Sequence, residues 1–182
     1  MMNADNLIDG LDRLASGLTI LALACFATIC LWQGQTSLLL LILVLIRPTP
    51  GFWAFNRPPA SIFMGDSGSL FLGYDLAIFS LWTTEIPGKG QTILPVLILA
   101  IPILDTAFSI FRHLLKGIPF YSANKDHLHH RLIAKGFSEP QAMMFLVGVS
   151  GWFGGLALFS FHETHLQGFV YLGVVILACL LL

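Results

Sequence analysis

The sequence predicts an all-α, polytopic transmembrane helical bundle of about six spans, on three observations. Of 182 residues, 56% are hydrophobic and only 10% are charged, against about 25% charged in a usual soluble domain. Mean hydropathy is +0.82, so a water-soluble fold would lack a polar skin. The apolar residues also gather in runs near the ~20-residue length that crosses a bilayer. Neither an internal repeat nor a low-complexity linker divides them, and residues 1–182 read as a single transmembrane domain.

The candidate spans are Ala15–Trp32, Ser37–Phe55, Ser69–Trp82, Thr92–Leu115, Gln141–Phe161 and Gly168–Leu182. Arg47, Pro48 and Pro50 interrupt the second, and the third is short and holds Asp75. The fourth carries Asp105, just after Pro102, and Arg112 seven residues on. That spacing is about 10 Å of rise on one helical face, so both side chains are expected to face the bundle interior, in a structural or a catalytic role. The polar, acidic opening is not of the cleavable signal kind.

Charge and cysteine content narrow the function. A net charge of −1 argues against a nucleic-acid partner. Cys25, Cys30 and Cys179 all lie in apolar runs without a C-x-x-C pair, which indicates neither a disulfide framework nor a zinc site. With the first residues cytoplasmic, Arg13, Arg57, Arg112, Lys116, Lys125, Arg131 and Lys135 share that side and Lys89 lies opposite, as the positive-inside rule requires. Trp32, Trp53 and Trp82 fall near span ends, where amphipathic aromatics favour the headgroups. Alternating spans then place the chain start, Asn56–Ser69 and Lys116–Pro140 on one cytoplasmic face.

Those stretches carry the chemistry. In Asn3–Asp12, a helix would align Asp5, Asp9 and Asp12 on one stripe, where carboxylates repel unless a cation sits among them. Mg²⁺ takes one or two carboxylates together with water and substrate phosphates; the plainer alternative is a solvated, capped helix start. In Phe63-Met-Gly-Asp-Ser-Gly-Ser69, the glycines permit a tight turn. Ser67 or Ser69 can cap the next helix, whose free N–H groups favour anions, and Asp66 sits where a metal could bridge it to a phosphate. The alternative is an ordinary capped loop, although a carboxylate at a membrane boundary tends to be functional. In Asn124-Lys-Asp-His-Leu-His-His-Arg131, three imidazoles and two cations make an anion-binding cluster that could also ligate a metal or accept a proton. The alternative is a basic loop touching anionic headgroups, which explains Lys125 and Arg131 better than three histidines.

In this order, Asn-Ala-x-Asn-Leu-Ile-Asp-Gly-Leu-Asp, Phe-Met-Gly-Asp-Ser-Gly-Ser-Leu and His-Leu-His-His-Arg-Leu resemble the polyprenyl-phosphate N-acetylhexosamine-1-phosphate transferases, glycosyltransferase family 4. The His-x-His-His-Arg form is more similar to the polysaccharide-initiating branch than to the peptidoglycan branch. The resemblance implies a bacterial cytoplasmic-membrane enzyme, with its motif loops cytoplasmic, that moves a sugar 1-phosphate from a UDP-N-acetylhexosamine to undecaprenyl phosphate and releases UMP. It implies Mg²⁺, with Mn²⁺ as a substitute, and Asp66 and Asp9 as metal ligands. Asn6, Asp9 and Asp12 would line the nucleotide and metal pocket, with Asn56 and Phe63 nearby. His127, His129 and His130 would contact the diphosphate, supported by Arg131, with Asp66, Asp9, His129 and His130 in the catalytic roles.

The chain departs from the family pattern. An earlier aspartate pair has no counterpart, Arg13 stands where the family usually has glycine, and Arg47 lies in a normally apolar span. The expectation is therefore the C-terminal half of a larger transferase, working with a missing N-terminal half or as a homodimer, with membrane lipid as its other partner. An inactive remnant or non-catalytic membrane subunit is the alternative. A haem- or metal-binding protein that uses the histidines is disfavoured, because such ligands usually project from facing spans, whereas these lie in one polar loop.

Overall fold

The computed structural model describes residues 13–56, 61–84, 93–116, 127–162 and 173. Among the described residues the regular structure is entirely helical, as the composition predicts. Helix α1, Leu14–Gln33, is the hub. It is apolar all round, the pattern of a helix buried on every side, and α2, α3, α4 and α8 all pack on it. Its 20 residues rise about 30 Å, the thickness of a bilayer core.

Helices α2 (Thr36–Ile46) and α3 (Pro48–Phe55) follow as one rod. Pro48 and Pro50 withhold the N–H groups that would reach the Val44 and Ile46 carbonyls. Arg47 nevertheless keeps right-handed helical angles, φ −66° and ψ −49°. The interruption expected here breaks the hydrogen-bond ladder and leaves the backbone helical. Leu40, Leu41 and Val44 are exposed on this rod, as befits a lipid-facing surface.

Helix α4 runs over Gly65–Thr84, longer than the expected Ser69–Trp82. Gly65 adopts φ +66°, a left-handed turn that glycine enters without steric cost, and the helix begins at once. This corrects the expected capping by Ser67 or Ser69. Both lie inside the first two turns, and the buried Ser69 hydroxyl donates back to the Gly65 and Asp66 carbonyls at 3.1 and 3.2 Å.

The fourth candidate span is two helices, α5 (Ile93–Ile98) and α6 (Ala100–Lys116), parted at Leu99. Pro102 has no N–H for the Ile98 carbonyl, so the ladder fails there. The short α7 (Leu128–Ala134) rests on α8 (Glu139–His162). Glycines let α8 approach α1 closely, as small residues do between membrane helices. A Cβ on Gly154 would lie 2.8 Å from Cys25 Sγ, and one on Gly17 would lie 3.2 Å from Val147 Cγ2.

Three of the described segments are long and apolar enough to cross a membrane: Leu14–Gln33, Thr36–Phe55 and Glu139–Phe161. Ala100–Phe111 is a shorter apolar helix. Apart from Gly173, the sixth candidate, Gly168–Leu182, lies outside the described residues.

Candidate active site

Among the described residues, the loop before Asp66 bonds to the start of α1 through Asn56, and the histidine helix shares a cleft with the first turn of α1. Asn6, Asp9 and Asp12 lie outside the described residues, as do Asp5 and Lys125. Arg13, the residue that follows them, is half-buried and takes φ +71°. Its guanidinium lies 4.2 Å from the ring centroid of Trp53 on α3, a cation–π contact that helps hold this uncommon backbone conformation. The Trp53 indole Nε1 also lies near Gly17.

Asn56 ties this turn to the glycine-flanked aspartate loop. Its buried amide accepts the Arg13 backbone N–H at 2.6 Å through Oδ1 and donates through Nδ2 to the Ile62 carbonyl at 2.9 Å. Both functions of the amide are used, and the chain is directed through Phe63 and Met64 into α4. Phe63 is exposed. Asp66 is exposed on the first turn of α4, where the helix dipole favours a negative charge. A Cβ on Gly68 would lie 2.7 Å from Met64 Cγ, so this glycine leaves room for the incoming loop.

The histidine segment is anchored by Asp105. This buried carboxylate of α6 contacts His127 Nδ1 at 3.0 Å through Oδ2 and accepts the Leu128 backbone N–H at 2.7 Å through Oδ1. The rings of His127 and His129 stack, with centroids 5.9 Å apart and planes at 6°. His130 lies against His129 at 4.1 Å between centroids. His129 is only 2% exposed, and its Nε2 has no hydrogen-bond partner among the described residues. Burial, joined by the neighbouring imidazoles and opposed by Asp105, pushes its pKa down to about 4. His129 is therefore a neutral ring at pH 7 rather than a cation. His130 and Arg131 are half-buried beside it. A cleft lined by Leu14, Leu18, Ile101, Asp105, Leu128, His129 and Leu146 joins α1, α6, α7 and α8.

The expected site residues thus fall into groups. Asn56 and the loop leading to Asp66 meet Arg13, while His127 bonds Asp105 and His129 lines a cleft with Asp105 and Leu14. No group of three or more metal-capable side chains gathers among the described residues. Mg²⁺ needs only one or two protein carboxylates, and Asp66, an exposed hard-oxygen donor, suits it. Sequence reasoning left Asp105 open and missed Trp53 as a site contact. An arginine at one span start and a tryptophan at the end of another were the available signal.

Residues 1–84 match the model of glycosyl transferase family 4. This segment belongs to that family. The chain is 45% identical over 152 residues to a probable undecaprenyl-phosphate N-acetylglucosaminyl 1-phosphate transferase of Bacillus subtilis, covering 80% of this chain and 42% of the relative. It is 30% identical over 187 residues to the undecaprenyl-phosphate alpha-N-acetylglucosaminyl 1-phosphate transferase of Escherichia coli O157:H7, covering 99% of this chain and 50% of the relative. The like-named protein of Yersinia pestis is 28% identical, with 99% and 51% covered. The chain spans about half the length of these relatives.

Proposed function

We propose that this chain serves the transfer of an N-acetylhexosamine 1-phosphate from a UDP-sugar to undecaprenyl phosphate at the cytoplasmic membrane face of a bacterium. One observation carries the reading: the loop before Asp66 is tied to the start of α1 through Asn56 and Arg13, the residue after the acidic stretch, and Leu14 in that first turn lines the same cleft as His129. The names of the relatives supply the acceptor and the transferred group.

In this reaction an oxygen of the lipid phosphate attacks the sugar-bearing phosphorus of the UDP-sugar. The bond from that phosphorus to the oxygen bridging to UMP breaks, and UMP leaves with the electron pair. Such a transfer depends on positioning and on stabilising spread negative charge. Asp66, with Asp9, would hold Mg²⁺, which would neutralise phosphate charge when bound. Asn6, Asp12, Asn56 and Phe63 would form the nucleotide side of the pocket. Arg131 supplies a fixed positive charge, His129 and His130 supply ring nitrogens for the diphosphate, and His127 supplies one to the donor substrate. A neutral His129 works as a hydrogen-bonding group.

The test measures UMP release from UDP-N-acetylglucosamine by membranes containing the chain, with undecaprenyl phosphate and Mg²⁺. Release that Asp66→Asn abolishes is the expected result. Release that survives the substitution rules out the assignment of Asp66. Calorimetric titration with UDP-N-acetylglucosamine and Mg²⁺ in detergent distinguishes a nucleotide-binding chain from a non-catalytic membrane subunit, which would give no binding heat.

A further inference from the structure

Asp105 holds two different groups with its two oxygens, and their chemistry is unequal. The Leu128 N–H can only donate, so Oδ1 must accept. Oδ2 faces His127 Nδ1, which can donate or accept according to which ring nitrogen carries the proton. An ionised carboxylate is acceptor-only, and that forces the proton of a neutral His127 onto Nδ1. The lone pair then sits on Nε2. His127 is extended, φ −69° and ψ 152°, and has no side-chain bond to its own helix, so the bond to Asp105 is what orients its ring. The His129 ring stacks on the result.

We propose that Asp105 is a positioning residue. It fixes His127 as the Nδ1–H tautomer and docks the start of α7 on α6, so that Nε2 of neutral His127 is presented as a hydrogen-bond acceptor. An acceptor pairs with a hydroxyl or amide N–H of the substrate, and a bare phosphate oxygen offers it nothing. Within the proposed transfer, and resting on that reading, His127 therefore recognises the sugar or nucleoside part of the donor, leaving phosphate charge to Arg131 and the metal.

Asp105→Asn separates the two jobs of the carboxylate. Asparagine is nearly isosteric with aspartate and keeps an amide oxygen that accepts, so its Oδ1 can hold the Leu128 N–H. Its NH₂ then faces His127 Nδ1 and can only donate, which drives the proton to Nε2. A purely structural role of Asp105 predicts no such inversion.

Imidazole nitrogen NMR of the full chain in detergent reads this directly, at a pH well above the ordinary histidine value of about 6.5. His127→Gln identifies the His127 signals. The expected result is the Nδ1–H pattern in the wild type and the Nε2–H pattern in Asp105→Asn. A wild-type Nε2–H pattern overturns the proposal without any variant, because it means that Asp105 donates as a neutral carboxyl. An unchanged tautomer in Asp105→Asn also overturns it. The inverted tautomer should weaken UDP-N-acetylglucosamine binding about three- to tenfold, the usual worth of one hydrogen bond, and unchanged affinity removes the recognition role. Failure of UMP release alongside the expected spectra would count against the transferase reading and leave Asp105 as the positioning residue.

Discussion

The backbone N–H of Arg13 donates to the Asn56 side chain at 2.6 Å across 43 residues of sequence. Through the same amide, Asn56 also holds the Ile62 carbonyl. Asn56→Ala leaves both backbone groups without this partner, at a cost of about 2–3 kcal/mol. Asn56→Asp keeps the acceptor for Arg13 but sets a buried carboxylate against the Ile62 carbonyl, so it should cost at least as much. Thermal unfolding in detergent ranks the three proteins, and an Asn56→Ala variant as stable as the wild type would contradict the clamp.

Arg13 combines a left-handed backbone with a cation–π contact. The conformation costs a non-glycine residue on the order of 1 kcal/mol, and the contact returns about 0.5–1 kcal/mol. Arg13→Gly relieves the first and loses the second, and should be close to neutral. Arg13→Ala keeps the strain without the contact and should lose about 1 kcal/mol. Glycine should therefore be the more stable variant, the reverse of the order within a helix. Melting temperatures of the pair decide it.

Stability should fall in mild acid through His129. Its folded pKa of about 4 lies below the unfolded value of about 6.5, so between these values the unfolded chain binds the extra proton. The contribution is complete above about pH 6.5 and is lost as pH falls towards 4, on the order of 2–3 kcal/mol. His129→Asn should flatten the slope. Unfolding midpoints at a series of pH values measure this, and an equal slope in the variant would assign the effect elsewhere.

Close packing of α1 on α8 predicts a compensating pair. Gly154→Ala puts a methyl 2.8 Å from Cys25 Sγ, and such overpacking typically costs about 1–3 kcal/mol. Cys25→Ala removes the obstructing sulfur, so the double variant should regain most of that loss. A double-mutant cycle in unfolding free energy with no coupling would place the helices further apart.

The sequence makes α1 legible almost to the residue, because nothing interrupts its apolar run. Ala15–Trp32 was expected, and Leu14–Gln33 is observed. The start of α4 was missed by four residues, since the left-handed turn at Gly65 is a choice that glycine permits but does not dictate. Pro102 is visible in the sequence, yet where the fourth span parts depends on which carbonyl loses its donor. At the site, the residue types were readable and their pairings were not. Nothing local marks Asn56 as the partner of Arg13, or Asp105 as the partner of His127, 22 residues away. The burial of His129 was equally hidden: a polar loop reads as solvated until α1, α6 and α8 close around it.

Helix α8, at 24 residues, is about 36 Å long, while the hydrocarbon slab is about 30 Å thick. The excess must be taken up by tilt or by protrusion past the headgroups. The histidine helix rides on α8, so its height above the lipid surface is geared to bilayer thickness. Reconstitution into short- or long-chain lipids would move the imidazoles relative to the lipid headgroups.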